Sequence, residues 1–170
     1  LQTQALHKQF DVNVYGPHRL VRAVLPGMRR ERDGTIIMVS SVAGRVAFPG
    51  AGVYCGSKFA IEAMSDALRN EVREFGVNVV VVEPGPVDTR FSSRVRQQVD
   101  PDGENGVARS GAYEEFYTLF EDTQTLGGGG PGAVSAGRVA AEILNAASAT
   151  SPPARAQPGS IARAGVLARF

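Results

Sequence analysis

Two runs of apolar, largely β-branched residues, Thr35-Ile-Ile-Met-Val39 and Val77-Asn-Val-Val-Val-Val-Glu83, constrain this chain more than any other feature. Neither alternates strictly between polar and apolar, so each is predicted to be a strand covered on both faces. Between them, Phe59, Ala60, Ala63, Met64, Ala67, Leu68, Val72 and Phe75 form one apolar stripe at helical spacing, with Glu62, Asp66, Arg69 and Arg73 mostly opposite. That helix is expected over Ser57 to Phe75, with Gly76 just past its end, where glycine commonly terminates helices. Strand, helix and strand within about fifty residues make a βαβ unit with an expected right-handed crossover. The fold class is therefore α/β, a piece of a doubly wound parallel sheet.

The flanks extend this plan. Leu6, Phe10, Val14, Val21, Val24, Leu25 and Met28 predict a long helix from Leu1 to Arg32, bent at Gly16-Pro17 and loosened at Pro26-Gly27. Asp33-Gly34 is expected to turn into the first strand. Ser92 to Gly111 is polar and glycine-dotted, hence a loop. In Ala112 to Thr123, Tyr113, Phe116, Tyr117 and Phe120 recur at helical spacing, either as a packing face or as an apolar wall for a ligand. Glu114, Glu115, Glu121 and Asp122 would be that helix's solvated face, and Gly127 to Gly130 a flexible tether. A further helix is expected over Ala133 to Ala147, and Ser151 to Phe170 is patterned weakly enough to hold one short edge strand or nothing. The chain divides into a core segment over 1–91, a lid or loop region over 92–132, and a helix with a weakly structured tail over 133–170.

Composition removes several classes of function. A net charge of +1 lacks the basic footprint of nucleic-acid binding. One cysteine, Cys55, forms no disulfide framework and no multi-cysteine metal site. No apolar run is long enough to span a bilayer and no secretory pattern follows Leu1, so a cytoplasmic location is expected.

Chemistry concentrates between Ser40 and Lys58. Tyr54 and Lys58 stand four apart at the start of a helix and share one face. A phenol is a poor base at neutral pH, and a cation beside it favours the phenolate. Lys8 and Lys58 are the only lysines among 18 basic residues, so roughly 0.05 Tyr-x-x-x-Lys pairs are expected by chance. Ser41 lies where the first strand runs out, the edge at which ligands of open α/β sheets gather, and its hydroxyl can donate to a carbonyl oxygen. Ser40 competes for that role, its alternative being a turn hydrogen bond. Pro84-Gly-Pro-Val-Asp-Thr89 leaves the second strand at the same edge. There Gly85 would permit close backbone approach to a planar ligand, and Thr89 is either a ligand-binding hydroxyl or a helix N-cap.

The ordered set FDVNVYG, IIMVSSVAG, VYCGSK and VVEPGPVDT resembles the short-chain dehydrogenase/reductase family from about Phe10 to Phe91, and VYCGSKFAIEAMSDAL is similar to its hydroxysteroid and retinol dehydrogenase branch. The resemblance implies the C-terminal half of a Rossmann-like doubly wound sheet in three α/β/α layers. It implies a tetrad: Tyr54 as general acid/base, Lys58 tuning Tyr54 and holding the nicotinamide ribose, Ser41 polarising the carbonyl, and Asn13 completing a water-linked relay to Lys58. Pro84, Gly85, Val87 and Thr89 match the segment at the nicotinamide end of NAD or NADP. The implied reaction is hydride transfer between a secondary alcohol and a ketone or aldehyde, with a small lipophilic substrate. The implied assembly is a homo-oligomer paired through the helices around Asn13 and Lys58.

The family's TGxxxGxG turn and NNAG segment have no counterpart here, and the residue choosing between NAD and NADP would lie with them. The N-terminal part of the fold is therefore expected to be missing. Thr35 to Val39 would then be left as an apolar edge, and dinucleotide binding would be weak or nil. A non-catalytic interaction or oligomerisation protein is the alternative. A nucleotide-sugar epimerase sharing the Tyr/Lys pair is disfavoured by the PGPVDT segment.

Overall fold

A computed structural model describes residues 3–90, 115 and 132–167. α1 (Thr3–Phe10), a π-helical turn (Asp11–Tyr15) and α2 (Gly16–Glu31) lead into β1 (Gly34–Val39). A 3-10 turn (Val42–Gly44), α3 (Gly52–Val72) and a second 3-10 turn (Arg73–Phe75) precede β2 (Val77–Val82). β3 (Val87–Asp88), β4 (Val134–Ser135), α4 (Ala136–Ser148), β5 (Arg155–Ala156) and α5 (Ser160–Leu167) follow.

The expected βαβ unit is present. β1 and β2 pair in parallel from Gly34–Val77 to Val39–Val82, with α3 as the crossover. β5 adds to the other side of β2, again in parallel, giving the order β1-β2-β5. Ile36, Val77 and Val79 pack with Val21 of α2 and Val72 of α3, supported by Leu25, Met28, Met38, Leu68 and Phe75. α4 lies against β1 and β2. Val80 and Val82 alternate with Val79 and Val81 along the pleat and so serve the opposite face. All four are at most 2% exposed, so β2 is covered on both faces as expected. β1 departs from that expectation: only Ile36 is buried, and Val39 is 47% exposed. It is the edge strand of this sheet among the described residues, with a paired neighbour on one side only.

Where a bend is expected at Gly16-Pro17, the helical path changes to a π turn just before Gly16, whose N–H reaches back to Asp11 O. A Cβ on Gly16 would press to 3.3 Å from that oxygen. Pro26 does not loosen the end: α2 continues through it to Glu31, since one proline deletes only one donor. The helix stops instead at Arg32, in the left-handed region at φ 53°, whose guanidinium donates to Glu74 O at 2.7 Å.

α3 starts at Gly52, five residues before the expected Ser57. Gly76 ends the turn after it at φ 71°, where a Cβ would collide with the Arg32 carbonyl oxygen. The expected polar face needs correction. Glu62 is buried at 5% exposure, and Asp66 and Arg69 are half-buried, because this side of α3 meets β5. The tail also differs: besides the short edge strand it forms α5. A two-residue strand leaves no periodicity to read; β5 is fixed by the open edge of β2, with Val81 and Glu83 N–H donating to Ala154 and Ala156 carbonyls at 3.0 and 2.8 Å. The helix expected from Ala133 begins at Ala136, capped by Ser135, whose Oγ accepts from Arg138 N–H at 3.2 Å. The loop, aromatic helix and glycine tether predicted within 92–132 lie, apart from isolated residues, outside the described residues. Among the described residues no helix is long and apolar enough to cross a membrane.

Candidate active site

Parallel pairing brings the carboxyl ends of β1 and β2 to one edge, and the segments beyond them are stitched together. Ser40 N–H donates to Val82 O at 2.8 Å and Val42 N–H to Pro84 O at 2.9 Å. Ser41, extended between them, caps the 3-10 turn: its Oγ accepts from Ala43 N–H at 3.1 Å and donates weakly to Pro84 O at 3.4 Å. The same hydroxyl hydrogen-bonds the Tyr54 phenol from the first turn of α3. One turn on, Lys58 Nζ donates to Val39 O at 2.9 Å, the last carbonyl of β1, and stands 5.7 Å from the centroid of the Tyr54 ring. Ser41, Tyr54 and Lys58 thus converge beyond the strand ends, where a ligand of an open sheet would lie.

The two serines separate in the structure. Ser41 faces Tyr54, whereas Ser40 is 3% exposed and lies near Glu62 and Gly44 with no hydrogen-bond partner for its Oγ. Burial raises Tyr54 above the usual phenol range, and the Ser41 hydrogen bond opposes it. Burial outweighs that hydrogen bond, so the phenol stands protonated at neutral pH. Burial also lowers Lys58, against a countering pull from Glu62.

Asn13 sits in the π turn, a distortion often found at functional positions. Its Nδ2 donates to Ser57 Oγ at 3.0 Å, and Ser57 Oγ donates to Tyr54 O at 2.7 Å. Asn13 is therefore tied to α3 between Tyr54 and Lys58 through Ser57, with no direct bond to Lys58. Sequence reasoning passed over Ser57, although a small hydroxyl three residues after Tyr54 was in view. Pro84 is buried against Ser41. Gly85 does permit a close approach, but of α5: a Cβ there would lie 3.2 Å from Ala162 N and 3.5 Å from Ile161. Val87 pairs with Val134, and Thr89 is exposed.

Behind the site lies a charged cluster that the sequence did not announce. Arg155 meets Glu83 at 3.0 Å, Asp66 at 2.7 Å and Glu62 at 3.4 Å, and Gln157 meets Glu83 at 2.6 Å.

Known proteins are similar to this chain. A family model described as short chain dehydrogenase matches residues 1–100. YbbO of Escherichia coli K12, named an uncharacterized oxidoreductase, is 47% identical over 105 residues, covering 61% of this chain and 39% of its own. Retinol dehydrogenase 8 of Homo sapiens is 42% identical over 99 residues, covering 58% and 32% respectively. A short-chain dehydrogenase structure from Streptomyces avermitilis superposes with a TM-score of 0.76 at 30% identity, covering 99% of this chain and 57% of that one. The chain thus spans little more than half of that structure, and its match takes in a smaller share of the curated relatives. The family model matches more than half of the chain: the chain belongs to the short-chain dehydrogenase family.

Proposed function

We propose that this chain carries the proton-transfer half of an NAD- or NADP-dependent oxidoreductase that interconverts a secondary alcohol with a ketone or aldehyde. The observation that supports it is the convergence of Ser41, Tyr54 and Lys58 at the carboxyl edge of β1 and β2. The residues fit the nicotinamide end of such a cofactor: the Lys58 ammonium has three protons, one directed at Val39 O, beside the exposed end of β1. The cofactor, when bound, supplies hydride chemistry. Tyr54, protonated at neutral pH, delivers its proton to the oxygen on which charge develops. Ser41 steadies that oxygen by hydrogen bonding, and the Lys58 charge favours the phenolate left behind. Asn13, through Ser57, holds the first turn of α3 in register, and the water-linked relay from Asn13 to Lys58 belongs to this proposal. Pro84, Gly85, Val87 and Thr89 would border the nicotinamide.

A lipophilic substrate is supported by the name of the retinol dehydrogenase relative and by the aromatic residues between Ala112 and Thr123. The 170-residue chain alone, without a TGxxxGxG turn, should bind dinucleotide weakly or not at all; micromolar NAD(H) or NADP(H) affinity by calorimetry would refute this. In the enzyme carrying this sequence, Tyr54→Phe should lower kcat by roughly a thousandfold. Unchanged turnover would remove the mechanism. One observation favours a second reading, association without catalysis: Leu6, Val12, Tyr15, Leu20 and Val24 are exposed along α1, the π turn and α2, as a homo-oligomer contact would require.

A further inference from the structure

Tyr54, Lys58, Glu62 and Asp66 follow one another at intervals of four along α3, so one stripe of the helix runs from the site into the charged cluster behind it. Glu62 is the member of that stripe with no task so far. Its Oε2 reaches Arg155 Nη2 only at 3.4 Å, because that nitrogen sits 2.7 Å from Asp66. Its Oε1 is buried with no hydrogen-bond partner, as is Ser40 Oγ. A Cβ on Gly44 would stand 2.6 Å from Ser40 Oγ and 3.0 Å from Glu62 Cγ, so the backbone closes tightly over this carboxyl. A buried carboxyl left half-satisfied costs stability, and an apolar side chain of similar size would avoid that cost. The charge itself is what needs explaining.

The ionisable neighbours are Lys58 and Asp66 on α3, Glu83 beyond β2, Arg155 on β5 and Arg45 after the first 3-10 turn. Arg155 is divided among three carboxylates, and Glu83 has the better share, with Arg155 at 3.0 Å and Gln157 at 2.6 Å. Toward the site, Glu62 acts on Lys58, one turn away, favouring the charged ammonium where burial disfavours it.

We propose that Glu62 is a positioning residue of the site, the buried counter-charge that keeps the Lys58 ammonium charged beside Tyr54. The assignment rests on Tyr54 and Lys58 being the proton-transfer pair. Burial pushes the Glu62 carboxyl up to about 7, with Glu83 adding to the rise and Arg155 opposing it. Its charge therefore appears as pH passes neutrality, before the range in which ammonium groups ordinarily give up their protons.

The scarcity of lysine makes the test direct. With 13Cε-lysine labelling the chain gives two signals, Lys58 and the exposed Lys8, which serves as reference. Titrated without cofactor, the Lys58 signal should show a minor inflection near pH 7, as Glu62 ionises, before its own transition. In Glu62→Gln the inflection should vanish and the Lys58 midpoint fall by roughly half a pH unit or more, with Lys8 unmoved. A folded Glu62→Gln whose Lys58 midpoint stays within about 0.1 unit of the unmodified protein overturns the proposal. If the variant does not fold, absence of the inflection in the unmodified protein overturns it. Neither readout involves turnover, so an active Tyr54→Phe enzyme would defeat the catalytic reading while leaving the Lys58–Glu62 coupling measurable.

Discussion

β1 and β2 have nearly the same length and similar apolar content, yet one is sealed and the other is open. β2 lies between two parallel neighbours, and its Val79 to Val82 are at most 2% exposed. β1 has β2 on one side, and its last residue, Val39, is 47% exposed. Strand composition sets how much apolar surface is on offer, while position in the sheet sets how much is removed from water. The sealed side also carries the charged cluster, since ions excluded from solvent persist only where partners surround them. The open side carries the catalytic candidates and the exposed apolar residues of α1 and α2.

Removing a partner from the sealed side should have the largest effect. Arg155→Met leaves Glu83, which is 0% exposed, without its principal cation and should destabilise the fold by roughly 3 kcal/mol or more in chemical denaturation. A smaller loss would mean that Arg45, whose Nε stands 3.9 Å from Glu83, takes over. Next comes Val81→Ala, which opens a void in the 0%-exposed centre of β2 and should cost about 1–3 kcal/mol. Val39→Ala on the open strand should stay within about 0.5 kcal/mol. Equal costs for the two valines would erase the contrast between the strands.

Much of this contrast was legible in the sequence, and the illegible part has physical reasons. The parallel βαβ unit followed from two β-branched runs around an amphipathic helix, and the Tyr54–Lys58 pair followed from helical spacing. Glu62 was placed on a solvated face because helical periodicity assigns carboxylates outward, and its burial depends on Arg155, 93 residues later in the chain. β5 is two residues long and takes its register from β2, not from any pattern of its own. Ser40 and Ser41 are neighbours of one residue type. Only the pleat, sending them to opposite sides, gives one to Tyr54 and the other to Glu62.

The pH dependence of stability isolates the sealed side further. Folded Glu62 holds its proton up to about 7, against 4.5 for the ordinary residue, so the folded state binds the extra proton between those values. The stability it contributes is complete below about 4.5 and is lost as pH rises through about 7. For Asp66 burial alone would raise the carboxyl, but the Arg155 and Arg69 hydrogen bonds prevail and lower it. Its contribution is therefore present above 3.8 and lost as pH falls below that. Denaturation midpoints should decline from about pH 4.5 to 7 in the unmodified protein and lose that slope in Glu62→Gln. An unaltered slope would place the titrating group elsewhere.

The smallest expected change in stability belongs to Thr35→Lys on the open strand, and it is informative because a second property should move. Thr35 is half-buried on an edge whose outer N–H and C=O groups have no strand partner among the described residues. Such an edge is a template for pairing with another chain, and a lysine on it opposes that pairing by charge and by the solvation its ammonium demands. Folding stability should change by less than about 0.5 kcal/mol, because the substitution leaves the β1–β2 ladder and the Ile36 contacts in place. Self-association, followed by sedimentation across a concentration series, should fall clearly. If it does not, association runs through the exposed Val12, Leu20 and Val24 of the π turn and α2, and the apolar helical face becomes the feature that distinguishes the open side.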